Sequence, residues 1–239
     1  MTTKEFSDGF DTLLNSYSAS AGFGEEASRQ TIALDEYEKS VFLTKAQEEL
    51  VVGLYNGKNP YGESFESTEE LRRYLSSLVV ERNLKPLTNT GGTILGASST
   101  SKFFTLPSNL WFITYETVTV SDAKCSDHST LSVYPTRQDE YQSIKENPFR
   151  GANDRRALRL DLSDGNVEII CKYSVASYYI RYVRKLAPII LADLPDGLSI
   201  EGVSKATDCT LHDVLHKRIL DLAVRMALQS KGIGRVEQR

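Results

Sequence analysis

The apolar positions near the start of the chain repeat with a helical period. Phe6, Phe10, Leu13, Leu14 and Tyr17 share one face at i, i+4, i+7, i+8 and i+11, which predicts a first helix. Ser18 to Ala27 is small, polar and Gly-bearing and reads as a loop. A longer helix follows from Leu34 to Tyr55. Its stripe of Leu43, Ala46, Leu50 and Leu54 is widened by Phe42 and Val51, and Asn56-Gly57 with Asn59-Pro60 ends it. A third helix opens on the capping box Ser67-x-x-Glu70 and turns Leu71, Tyr74, Leu75 and Leu78 inward. Asn83 to Ser101, rich in Thr, Gly and Ser, reads as a linker.

The period changes at Lys102. Phe103 to Thr105, Asn109 to Val120 and Leu131 to Tyr134 are aromatic and β-branched, as strands are. The alternation of Trp111, Ile113 and Tyr115 shifts phase at Val118 and Val120, which predicts a bulge near Glu116. Gln138 to Glu146 reads as a short helix closed by Asn147-Pro148. Leu158, Leu160 and Leu162 alternate, Ser163-Asp164-Gly165-Asn166 turns, and Val167, Ile169, Cys171 and Tyr173 alternate again, which is the clearest hairpin in the chain. Tyr178 to Leu191 supplies one or two more strands. Leu211, Val214, Leu215, Ile219, Leu222 and Met226 mark a last helix from Leu211 to Gln229, followed by a polar tail.

Helices, then a block of strands, then a helix argue for an α+β fold and not for a doubly wound sheet. The simplest packing sets the last helix on the first three. The expected architecture is a helical bundle body, residues 1–95 with 205–239, carrying an inserted antiparallel β-rich module, residues 96–204. Leu43, Leu50, Leu54, Leu71, Leu75, Leu78, Leu215, Ile219 and Leu222 are its expected bundle core. The module is expected to protrude and to bear contacts to neighbours.

Composition narrows the function. The 239 residues carry a net charge of −4, where a general nucleic-acid binder shows a basic balance or stripe. No stretch of about 18 apolar residues predicts a membrane span. The three cysteines, Cys125, Cys171 and Cys209, are far apart and fit reduced thiols better than a disulfide framework.

Few motifs offer chemistry. His212 and His216 stand at i, i+4 in a predicted helix, the spacing of a zinc pair, but Asp213 replaces the glutamate that a metal-dependent hydrolase uses as base. Cys125-Ser126-Asp127-His128 is at most half of a structural zinc site. Thr90-Gly91-Gly92-Thr93 lacks the lysine of a phosphate loop, and no G-x-S-x-G elbow occurs. The carboxylates Asp35, Glu36, Glu38, Glu48 and Glu49 fit a solvated helix face. Arg150, Arg155, Arg156 and Arg159 are balanced by Asp154, Asp161 and Asp164. Tyr173, Tyr178, Tyr179 and Tyr182 alternate with Lys172, Arg181, Arg184 and Lys185, a pattern that suits single-stranded nucleic acid or a protein interface. The acidic balance favours the interface, with Tyr178, Tyr179, Tyr182 and Arg184 as candidate contacts between copies.

Four local patterns carry a family resemblance. They are Glu5-Phe6-Ser7 leading to Phe10-Asp11-Thr12-Leu13-Leu14-Asn15, and the run from Leu34-Asp35-Glu36-Tyr37 to Thr44-Lys45-Ala46-Gln47. The third is Asp139-Glu140-Tyr141 with Asn147-Pro148-Phe149 and Arg155-Arg156-Ala157-Leu158-Arg159-Leu160. The fourth joins Tyr182-Val183-Arg184-Lys185, Pro188-Ile189-Ile190-Leu191, Cys209-Thr210-Leu211-His212 and Ile219-Leu220-Asp221-Leu222-Ala223-Val224. Together they resemble the neck ring proteins of crAss-like phages, and the fourth is similar to tail adaptors of other short-tailed phages.

The resemblance implies a virion structural protein of the neck or tail, assembled in the bacterial cytoplasm, without cofactor or metal. It implies a closed, twelvefold homo-oligomeric ring stacked between the portal and the adjacent tail rings, with genomic DNA passing through the lumen unbound. It also implies that the C-terminal end reaches the adjoining ring, where Ile233 and Val236 would anchor and Arg235 and Arg239 would meet acidic groups. The competing readings are a metal-dependent hydrolase using His212 and His216, and a nucleic-acid-binding accessory protein using the Tyr/Arg strands.

Overall fold

The computed structural model describes residues 1–20, 33–58, 64–87, 101–121 and 129–230. Within them the order is α1 (Thr3–Ser20), α2 (Glu36–Asn56), α3 (Glu69–Leu75), β1 (Val79–Leu84), β2 (Lys102–Thr105), β3 (Leu110–Val120), β4 (Thr130–Pro135), α4 (Gln138–Ile144), β5 (Arg156–Asp161), β6 (Asn166–Ile170), β7 (Val175–Arg184) and α5 (Asp213–Ser230). The fold is α+β. The chain divides into a helical unit, Met1–Leu78 with Leu186–Arg239, and a sheet unit, Val79–Lys185. Strand β1 thus takes the residues after Leu78 and the start of the predicted linker, and residues 186–204 belong to the helical unit.

In the helical unit α5 packs against α1 and α2. Phe6, Phe10 and Leu14 of α1, Leu43, Ala46, Val51 and Leu54 of α2, and Leu215, Ile219, Ala223, Val224 and Ala227 of α5 are buried. Leu50 and Leu222 are only half-buried. Gly9 lets α1 and α5 approach closely, since a methyl group there would sit 2.9 Å from Leu220 Cδ2. Helix α2 starts on a capping box between Asp35 and Glu38. Helix α3 is capped one residue later than expected: Thr68 Oγ1 accepts from the Leu71 amide at 3.3 Å, while Ser67 turns to Ser64.

The buried face of α2 is not wholly apolar. Ser40, Thr44 and Gln47 are buried at i, i+4 and i+7 and take hold of the segment that follows β7. Ser40 Oγ accepts from the Leu191 amide at 3.0 Å. Thr44 Oγ1 accepts from the Ile189 amide at 3.1 Å and donates to its carbonyl at 3.3 Å. Gln47 Nε2 donates to the Ala187 carbonyl at 2.7 Å. The row satisfies backbone groups that burial would otherwise leave orphaned. Beside it Lys39, also buried, bonds Asp11 Oδ2 at 2.8 Å and Glu36 Oε1 at 3.1 Å, tying α2 to α1.

The sheet unit is one seven-stranded sheet in the order β1-β7-β3-β4-β5-β6-β2. It is not purely antiparallel, because β4 and β5 run parallel and α4 lies in the connection between them, as parallel neighbours require a crossover. The expected hairpin is β5 with β6, pairing Leu158 with Ile170 and Asp161 with Val167. The β3–β7 ladder shifts register between Ile113 and Tyr115, next to the predicted bulge. The sheet is rolled. β7 and β2 are five strand spacings apart, about 24 Å in a flat sheet, yet the Tyr178 and Phe104 rings are 5.3 Å apart. Residues from six of the seven strands, among them Phe104, Val118, Leu131, Val133, Ala157, Ile169, Tyr178 and Ile180, fill the inside of the roll. Leu158, Leu160 and Ile170 face the other way, against Tyr141 and Ile144 of α4.

Two substitutions test this packing in the full chain. Thr44→Val removes both partners of Ile189 and should cost about 1–3 kcal/mol. Ile219→Ala, in the middle of the buried face of α5, should cost about 2–5 kcal/mol. Urea unfolding measures both, and no change in midpoint for either would contradict the placement of α2 or α5.

Candidate assembly surfaces

Strand alternation sorts the predicted contact residues. On β7, Tyr178, Ile180 and Tyr182 point into the roll and are fully buried. Tyr178 and Tyr182 therefore cannot be surface contacts between copies, as expected of them from sequence. Each has a partner for its hydroxyl: Tyr182 donates to Oδ1 of the exposed Asn109 at 3.0 Å, and Tyr178 donates to Glu116 Oε2. Alternation alone does not distinguish a tyrosine whose hydroxyl is satisfied inside a sheet from one that awaits a partner.

The Tyr178 hydroxyl belongs to an ionic cluster that is mostly covered at Glu116 and Arg159 and open to solvent at Asp161. Arg159 Nη1 donates to Glu116 Oε2 at 2.7 Å, and its Nε donates to Asp161 Oδ1 at 2.9 Å. Burial pushes the Tyr178 phenol up, and the neighbouring Glu116 carboxylate pushes it further. Burial is the largest influence and opposes the charge of Arg159, but Glu116, Tyr178 and Asp161 together outweigh it and hold the guanidinium protonated. The arginine that the sequence sets in a charge-balanced basic run is thus the counter-ion of Glu116, carried by the face of β5 opposite its leucines.

On the outer face, Tyr179 is half-buried and Tyr115 is 54% exposed, with their rings edge-to-face at 6.2 Å. Arg181, half-buried, pairs in register with both Tyr115 and Glu81. Trp111 and Phe112 stack at 4.9 Å on the same β3 strand, and Arg184 ends β7 half-buried. This face keeps one of the four expected contacts, Tyr179, and adds Tyr115, which the alternation of β3 pointed to without singling it out; Arg184 shares the parity of Tyr182 and pairs in register with Leu110, on the side of the roll.

The histidine pair does not converge on a common ligand. Helix α5 begins at Asp213, so His212 lies outside it, exposed, with its ring 5.6 Å from that of Tyr74. His216 is buried against Phe6. Its Nε2 lies 3.0 Å from the Leu211 carbonyl and its Nδ1 lies 2.7 Å from the Met1 amino group. An Nε2–H that donates to Leu211 leaves Nδ1 to accept from Met1, so both ring nitrogens are engaged. Among the described residues no group of three or more potential ligands could hold a metal ion. Cys125 and His128 lie outside the described residues, as do Ile233, Arg235, Val236 and Arg239. No helix in the described residues is long and apolar enough to cross a membrane.

With this geometry in place, comparison with known proteins is specific. A family model described as "Phage tail ring protein 3/4" matches residues 1–238. "Ring protein 3" of Bacteroides phage crAss001 is 49% identical over 234 residues, covering 97% of this chain and 96% of that protein. "Ring protein 4/5" of the same phage is 29% identical over 236 residues, covering 95% and 92%.

Two outcomes follow from the buried groups. Arg159→Leu strands the Glu116 carboxylate inside the sheet and should cost about 3–5 kcal/mol, whereas pairing it with Glu116→Leu should recover most of that loss; equal losses in denaturant titrations would contradict the coupling. Burial lowers the His216 pKa below its ordinary value of 6.5, against the opposing pull of the Leu211 carbonyl. The unfolded chain then binds a proton that the folded chain refuses, so stability falls as pH drops below about 6.5. In His216→Gln that decline should be smaller between about pH 7.5 and 5.5, with Met1, Asp213 and His212 as the other titratable groups facing the ring. An identical pH profile would contradict the assignment.

Proposed function

The chain belongs to the phage tail ring protein 3/4 family, and we propose that its copies close into a twelvefold ring stacked between the portal and the tail, around the path of the genomic DNA. It is a structural ring protein of a crAss-like phage virion, and we assign it no catalytic role. The observation that carries the reading is the near-full-length match to two ring proteins of a single phage.

The physics of rings supports it. A contact that joins two different surfaces of identical subunits generates a closed ring when the rotation closes. A helical unit and a rolled sheet unit offer surfaces of different chemistry for that purpose. The outer face of β7 and β3, with Tyr179 and Tyr115, together with Arg184 at the end of β7, suits a subunit contact, since aromatics and arginine are enriched at interfaces. Charge supports the passage of DNA. Phosphate contacts drive non-specific binding, and a chain of net charge −4 lets DNA slide without holding it. The residues Ile233, Arg235, Val236 and Arg239 are the proposed docking points for an adjoining ring. Assembly takes place in the host cytoplasm before the particle is released.

Two measurements test the proposal. Quantitative mass spectrometry of purified particles should count copies in whole rings of about twelve; one or two copies per particle would contradict the ring. A chain lacking Lys231 to Arg239 should keep its melting temperature and yet fail to join the portal or adjacent ring. Normal assembly of the shortened chain would rule out the docking role.

A further inference from the structure

Residues 147–156 form a fixed turn in the sheet unit. The Asn147 side chain accepts from the amides of Phe149 and Arg150 at 2.9 and 3.1 Å. The Gly151 amide donates to the Asn147 carbonyl at 2.7 Å. A methyl group at Gly151 would meet three carbonyl oxygens within 3.1 Å, so the turn closes only around glycine. Arg156 Nη1 clasps the Phe149 carbonyl at 2.8 Å while its guanidinium lies 4.3 Å over the Tyr134 ring. A backbone held at so many points presents Phe149 83% exposed. A large apolar side chain kept rigidly in water is a candidate contact residue.

The charge around Phe149 is one-sided. Arg150, Arg155 and Arg156 are met in this stretch only by Asp154. Asp154 is already engaged by Lys172 Nζ at 2.7 Å and the Tyr173 hydroxyl at 2.8 Å. Arg150 and Arg155 are exposed and have no ion pair among the described residues.

The helical unit presents the complement. In residues 191–210, Asp193, Asp196, Glu201 and Asp208 stand against Lys205 alone, and all four acids are exposed. Leu198, 42% exposed, gives the segment an apolar point. The segment is fixed by bridges between Ile190 and Thr207 and between Ile200 and Val203, and by Asp193 Oδ1 accepting from the Ala206 amide at 2.8 Å. Beside it Glu48 of α2 faces Glu201. Burial, and then the hydrogen bond with and the charge of the Glu201 carboxyl, raise the Glu48 pKa.

We propose that the Phe149 tip of one copy docks on the acidic 193–208 segment of a second copy, with Phe149 against Leu198 and Arg150 and Arg155 among the carboxylates. The inference rests on the ring reading above, which requires a second copy as neighbour. Complementary charge fixes register and rejects wrong partners. An aromatic flanked by arginines also suits a nucleic-acid strand. The acidic segment, carried by the same chain, favours the second copy.

The test uses assembled particles in which Phe149→p-benzoylphenylalanine places a photo-crosslinker at the tip. The expected product is a dimer of this chain with its cross-link between residues 193 and 208. A cross-link to DNA, to another virion protein or to a different part of this chain overturns the proposal. If micrographs of those same particles still show the ring, the ring reading survives that failure. A charge swap gives a second measurement. Arg150→Glu with Arg155→Glu should lower incorporation into particles by at least about tenfold, and adding Asp196→Lys with Glu201→Lys should restore most of it. Unchanged incorporation, or no rescue, also overturns the contact.

Discussion

The helical unit depends on one constraint: the chain that returns from the sheet must be buried although it has little strand partnership of its own. Residues 187–191 make a single β-bridge, between Ile190 and Thr207, while Ile189, Ile190 and Leu191 are buried. Buried amides and carbonyls left unpaired cost more than most single contacts can return. Ser40, Thr44 and Gln47 answer this by lining one face of α2 with donors and acceptors spaced one helical turn apart. The apolar residues of α2 and α5 can then close over a segment whose polar groups are already satisfied.

The same economy allows a whole unit to be inserted. The chain leaves the helical unit after Leu78 and returns at Leu186. The strands at those two points, β1 and β7, are antiparallel neighbours, with Val79 opposite Val183. Entry and exit therefore lie side by side, and no long closure is needed. Within the unit, rolling the sheet brings distant strands onto one core, and the Glu116–Arg159–Tyr178 cluster pins β3, β5 and β7 from inside. A roll packed in this way leaves its outer face and its rigid tip for neighbours.

Periodicity made most of the elements legible. The long helices, the β5–β6 hairpin and α4 lie where the apolar spacing places them, because each buries one face and the period survives in the sequence. Strand β1 was hidden because Val79–Leu84 carries Glu81, Arg82 and Asn83 on a half-exposed edge strand. The leucines of β5 marked the strand but not what covers it: α4 packs on Leu158 and Leu160, while Ala157 faces the inside of the roll. Tyr178 and Tyr182 were misplaced because hydroxyls satisfied by Glu116 and Asn109 leave no trace in a linear pattern. The polar row on α2 was invisible for the same reason. The ring identity was legible only through resemblance, since the patterns that carry it are runs of structural residues and not a chemical signature.

The central claim is that this chain is a ring subunit whose sheet unit meets a neighbour. An electron cryomicroscopy reconstruction of the particle's head–tail vertex, made without imposed symmetry on the ring layers, tests it most directly. The account predicts a closed ring on the particle axis in which the rolled sheet of each copy touches the next copy. Density for this chain off the axis, or in copies that do not touch one another, would contradict it.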